Sequence, residues 1–68
     1  MSHRLPFRVS MLKSAEGKGY KVITYDEFKV VYLDVSPYLP RDKAVQIMEG
    51  FGRAGYKIEG TRHEVDMI

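Results

Sequence analysis

The chain has 68 residues, with 11 basic and 9 acidic side chains, a net charge of +2 and no cysteine. A chain this short makes a single domain (1–68) that buries only about 60% of the surface its unfolded form exposes. With neither disulfides nor thiolate-bound zinc available, packing or self-association must hold it together. The charge excess is too small to select nucleic acid by itself, no apolar run approaches the roughly 18 residues of a membrane span, and Met1 to Pro6 lacks the hydrophobic centre of a signal peptide. These features predict a cytoplasmic chain with no membrane association.

Residues 1–5 carry no periodic signal and are expected to form a flexible lead-in. Pro6 to Leu12 then alternates, with Phe7, Val9 and Met11 on one side and Arg8 and Ser10 on the other, the period of a half-buried strand. The stretch from Lys13 to Gly19 mixes small, charged and Gly residues without periodicity and reads as a loop. Tyr20 to Tyr25 and Phe28 to Val35 are rich in β-branched and aromatic residues and flank Asp26-Glu27, which suggests a hairpin. Asp-Glu lacks the Gly that a two-residue turn prefers, so a four-residue turn serves equally well. With Asp26-Glu27 as the turn, Tyr25 faces Phe28, Ile23 faces Val30 and Lys21 faces Tyr32, and the other face gathers Tyr20, Val22, Val31, Leu33 and Val35.

Pro37-Tyr-Leu-Pro40 stops the strand and leads into a helix, Pro40 being tolerated just before or within the first turn. From Arg41 to about Ala54 the helical period puts Ala44, Ile47, Met48, Phe51 and Gly55 on one face and Asp42, Gln46, Glu49 and Arg53 opposite. Gly55 suits the C-terminal cap. Tyr56 to Gly60 resumes a strand, and Thr61 to Ile68 either extends it past a bulge at Gly60 or forms a flexible tail. The order β-β-β-α-β predicts an α+β domain with a mostly antiparallel sheet of three or four strands and one helix on one face. Val31, Leu33, Met48 and Phe51 are expected between helix and sheet.

Gly50, Gly52 and Gly55 match the G-x-G-x-x-G dinucleotide pattern, but they close a helix and precede a strand, the reverse of what the fingerprint needs. Met1-Ser2-His3 would suit copper or nickel only with the initiator Met retained, and processing before a small second residue moves the histidine out of place. His63 and Glu64 fall on opposite faces of a strand and make no metal or acid–base pair. Ser10, Ser14 and Ser36 lack any nucleophile context. The chain therefore reads as a non-enzyme without cofactor or metal.

The remaining signal is apolar and aromatic character on both faces of the hairpin, with one helix to cover it. This predicts a small protein-binding module, such as an inhibitor, adaptor or regulatory subunit of phage or mobile-element type, working through an uncovered sheet face or edge. Tyr25, Phe28 and Tyr32 are its anchor candidates, with Arg8 as polar partner. The partner is then another protein. Nucleic acid is the alternative, bound by Arg4, Arg8, Lys13, Lys18, Lys21 and Lys29 with the hairpin aromatics. A third reading is a structural homo-oligomer that covers its own open face.

Overall fold

The alternation beginning at Phe7 produces strand β1 (Phe7–Lys13), whose odd-numbered apolar residues point to one side of the sheet. β2 (Tyr20–Asp26) and β3 (Val31–Asp34) follow, then helix α1 (Arg41–Arg53) and β4 (Lys57–His63), with a short 3-10 turn at Glu64–Met67. The computed structural model describes residues 6–67; the lead-in 1–5, with Arg4 and His3, and the terminal Ile68 lie outside the described residues. The strands form one four-stranded sheet in the order β3-β2-β1-β4. β1 pairs antiparallel with β2 and parallel with β4, and β2 pairs antiparallel with β3. The chain is thus a single compact α+β domain with a mixed, mostly antiparallel sheet and one helix.

Val9, Met11 and Val22 on the sheet meet Ala44 and Met48 on the helix, with Tyr20, Val45, Ile47, Phe51 and Tyr56 packed around them. Full burial of one such aliphatic side chain contributes about 1.5–3 kcal/mol. Helix α1 starts behind Pro40, whose carbonyl accepts from the amides of Lys43 and Ala44. It ends at Ala54 with Gly55 (φ +109) next, where Gly55 N–H donates to Gly52 O and Tyr56 N–H donates to Phe51 O. That pair of bonds is the Schellman cap, and its apolar contact is the Phe51 and Tyr56 rings with centroids 5.0 Å apart. Phe7 also stacks on the Tyr56 ring, with centroids 5.2 Å apart. Gly52 lies against Ile58, where a Cβ would come within 2.5 Å of the Ile58 side chain. Two glycines of the dinucleotide-like pattern are therefore used structurally, Gly55 in ending the helix and Gly52 in seating it on β4.

The hairpin register differs from the tight-turn expectation. Tyr25 faces Tyr32 rather than Phe28, Thr24 faces Leu33 and Ile23 faces Asp34, so the loop is the four-residue alternative. Asp26 organises it: its side chain accepts from the amides of Phe28 and Lys29, and its carbonyl accepts from Val30 N–H. Val30 closes this helical turn at φ +55, a left-handed conformation unusual for a β-branched residue. The register moves by an even number of residues, so the division of side chains between the two faces survives.

Two expected core residues are corrected. Val31 and Leu33 are on the helix side of the sheet but are 41% and 58% exposed. After β3 the chain runs on along the same edge of β2, and Leu39 forms a bridge with Tyr20 at the start of β2 through paired backbone hydrogen bonds. The helix consequently begins over β2 and packs chiefly on β2, β1 and β4, leaving β3 beside it. Phe28, expected on the sheet face, is in the turn and 81% exposed. Of the tail, Thr61 to His63 continues β4 past a bulge opposite Ser10, and residues 64–67 then leave the strand.

Candidate functional site

Among the described residues three surfaces remain without a second layer: the sheet face opposite the helix, and the outer edges of β3 and β4. Directly opposed residues share a face, so the first surface carries Tyr32, Tyr25 and Arg8 in one row, Asp34, Ile23 and Ser10 in the next, and Lys21, Leu12 and Arg62 in the third. The bulge in β4 puts Arg62 there. Without it, strict alternation from Ile58 would send Arg62 to the helix side.

Arg62 reaches diagonally from β4 across the sheet, so that its guanidinium carbon lies 5.4 Å from the centre of the Tyr32 ring on β3. Ser10 and Ile23 lie on the strands it crosses and are only 4% and 2% exposed. The contacts close on themselves. Arg62 is 3.5 Å from Glu59, Glu59 is 3.1 Å from Arg8, Arg8 lies 5.9 Å above the Tyr25 ring, and Tyr25 meets Tyr32 at 4.7 Å. Arg8 also donates from Nε to Glu27 at 2.7 Å. The Glu27 hydrogen bond is the largest of the influences that raise the Arg8 pKa above its ordinary value. This face is roofed by its own guanidinium groups and rings.

A second polar cluster borders it. Lys21 donates to Asp34 at 3.1 Å and sits 4.4 Å from the centre of the Tyr38 ring. Tyr38 donates its hydroxyl to Glu64, which also accepts from the Ala15 amide. These bonds lower the Glu64 pKa, the Tyr38 bond most, and the same bond raises the pKa of Tyr38. Glu64 therefore ties the end of β4 to two loops.

Among the nominated anchors, Tyr25, Tyr32 and Arg8 come together and Phe28 stands apart on the turn. The nominated cations do not gather. Arg8 and Lys21 are paired as described, Lys18 is 3.7 Å from Glu16, and Lys13 and Lys29 lie at opposite ends of the sheet. Glu59, Arg62 and Tyr38 were not nominated from sequence, because Arg62 changes face only through the bulge and Tyr38 reads as part of a loop. Among the described residues no three His, Cys, Asp or Glu side chains converge on a point that could hold a metal, and no helix is long and apolar enough to cross a membrane.

The edge of β3 has the opposite character. On the helix side Val31, Leu33 and Val35 (38% exposed) form an apolar strip that continues into Val30 and Phe28 in the turn. At about 100° per residue, Gly52 and Ile47 fall on opposite flanks of α1. Gly52 faces β4, so Ile47 faces the β3 side, where Ile47, Gly50, Phe51 and Ala54 line a shallow depression. Gly50, the first glycine of the dinucleotide-like pattern, borders this depression. No protein-family model matches the chain, and no curated protein or solved structure is significantly similar to it.

Proposed function

We propose that this protein is a small non-enzymatic protein-binding module that works by strand addition at β3. The observation that carries the reading is the exposed Val31, Leu33 and Val35 strip along a strand that has one neighbour among the described residues and that α1 passes by. An added strand would satisfy the outer backbone groups of β3, and its side chains would cover the strip, the two components of strand-addition recognition. Apolar surface contiguous with an open sheet edge is otherwise an aggregation hazard. The roofed face supports the reading less well as an anchor site, since Tyr25 and Tyr32 already stack with each other and with arginines. It supports nucleic acid less well too, because phosphates would have to displace Glu27, Glu59 and Asp34 from the cations they hold.

The test compares wild type, Leu33→Lys and the double variant Lys13→Ala with Lys18→Ala, each checked for folding by circular dichroism and then used for affinity capture from cell extract. The reading expects Leu33→Lys to lose the captured proteins while the lysine variant keeps them, with little dependence on salt. Capture that survives Leu33→Lys but is lost, with co-purifying nucleic acid, in the lysine variant or at raised salt overturns it.

A further inference from the structure

Resting on the strand-addition reading, we propose that the strand β3 accepts is β3 of a second copy, paired antiparallel about Leu33. Val35 N–H donates to Val22 O across the β2–β3 pair. In an antiparallel ladder the inward and outward groups alternate, so Val31, Leu33 and Val35 spend their backbone groups on β2, and Tyr32 and Asp34 direct theirs outward. A two-fold axis normal to the sheet requires opposed residues to share a face, which leaves three registers that engage Tyr32 and Asp34, centred on Tyr32, Leu33 or Asp34.

Centring on Asp34 sets two carboxylates opposite each other, which is destabilising. Centring on Tyr32 pairs Asp34 with Val30, whose φ of +55 takes it out of strand geometry. Centring on Leu33 suits both faces: Tyr32 and Asp34 of one copy exchange backbone bonds with Asp34 and Tyr32 of the other, while on the helix side Val31 meets Val35 twice and Leu33 meets itself. The segment is palindromic in this chemistry, and Lys29 and Pro37, residues that discourage further pairing, stand equally far from Leu33 on either side. Self-complementarity of this kind is what a two-fold interface demands. Both helices then lie on the same side of one continuous sheet, each with its Ile47 and Phe51 flank turned toward the shared strip.

Because the chain has no cysteine, single-cysteine variants read the register directly. A residue on the axis of a non-hydrogen-bonded pair has its Cα about 4.5 Å from its mate, inside the disulfide range, whereas Val31 of the two copies would be about 14 Å apart, well outside it. Under mild oxidation Leu33→Cys should convert to a linked dimer and Val31→Cys should not, while an equimolar mixture of Val31→Cys and Val35→Cys should link. Sedimentation velocity should show wild type dimerising with rising concentration and a folded Leu33→Lys remaining monomeric. Wild type that stays monomeric to millimolar concentration, or linkage of Val31→Cys as fast as Leu33→Cys, overturns the proposal. If wild type is monomeric yet Leu33→Lys still abolishes capture, the second copy is wrong and strand addition stands; if capture is also indifferent to Leu33→Lys, both fall.

Discussion

Replacing Gly19 with alanine attacks the contact that decides where the helix starts. Gly19 has φ +111 and approaches Leu39 so closely that a Cβ would stand 2.5 Å from the Leu39 carbonyl oxygen and 3.2 Å from its carbon. That oxygen accepts from Tyr20 N–H at 2.8 Å, Leu39 N–H donates back to Tyr20 O, and Gly19 O itself accepts from Ser14 N–H at 2.9 Å. Alanine can relieve the clash only by rotating φ, which moves these groups out of line. Forcing a non-glycine residue into this region costs about 1–3 kcal/mol, and each of the three weakened hydrogen bonds adds about 1 kcal/mol, giving roughly 4–6 kcal/mol in all. A 68-residue domain has about 3–10 kcal/mol of stability to lose. Gly17→Ala is the control, since Gly17 also has positive φ (+75) but nothing within 4 Å of its added Cβ, so it should cost only about 1–2 kcal/mol. Urea denaturation followed by circular dichroism measures both. Equal losses in the two variants would refute the argument that the Tyr20–Leu39 bridge anchors the helix.

Val30→Gly should stabilise the protein, because it removes a strained left-handed valine that is already mostly exposed. The net gain of about 1 kcal/mol should raise Tm by roughly 4–8 °C, and an unchanged or lower Tm would contradict it. Arg62→Ala should cost about 1–2 kcal/mol by stripping the cover from Ser10 and Ile23 as well as the Tyr32 stacking, whereas a urea midpoint within error of wild type would show that the roof contributes nothing. The Glu64 pKa is lowered by folding, so its contribution is full above the unfolded glutamate value near pH 4.3 and is lost as pH falls through the lower folded value. Tyr38→Phe removes the bond that lowers it most and should flatten the acid limb of stability against pH, while an unaltered acid limb would assign that limb to other carboxylates.

The order of elements and the helix were legible because their signals are local. Alternation from Phe7 to Met11 fixes β1, and the stripe of Ala44, Met48 and Phe51 with Gly55 beyond it marks the helix and its end. Gly60 gave away the bulge. Coverage was not legible, because it depends on Leu39 bridging to Tyr20, a long-range pairing that no local pattern records. For the same reason Val31 and Leu33 look like core residues by composition and face, yet lie beside the helix. The hairpin register was hidden by turn chemistry, since Val30 occupies a left-handed position usually marked by Gly or Asn. The face on which Arg62 lies was not legible either, because a one-residue bulge inverts every face assignment after it, and with it went the roof that makes the open sheet face self-sufficient.

Residue-resolved amide hydrogen exchange on β3 tests the open edge most directly. In dilute solution the Leu33 and Val35 amides should be protected by β2 while the Tyr32 and Asp34 amides exchange rapidly. As concentration rises, Tyr32 and Asp34 should gain protection together. Protection of Tyr32 and Asp34 that is already complete at high dilution, or rapid exchange of Leu33 and Val35, would contradict a β3 that pairs inward with β2 and stands open on its other side.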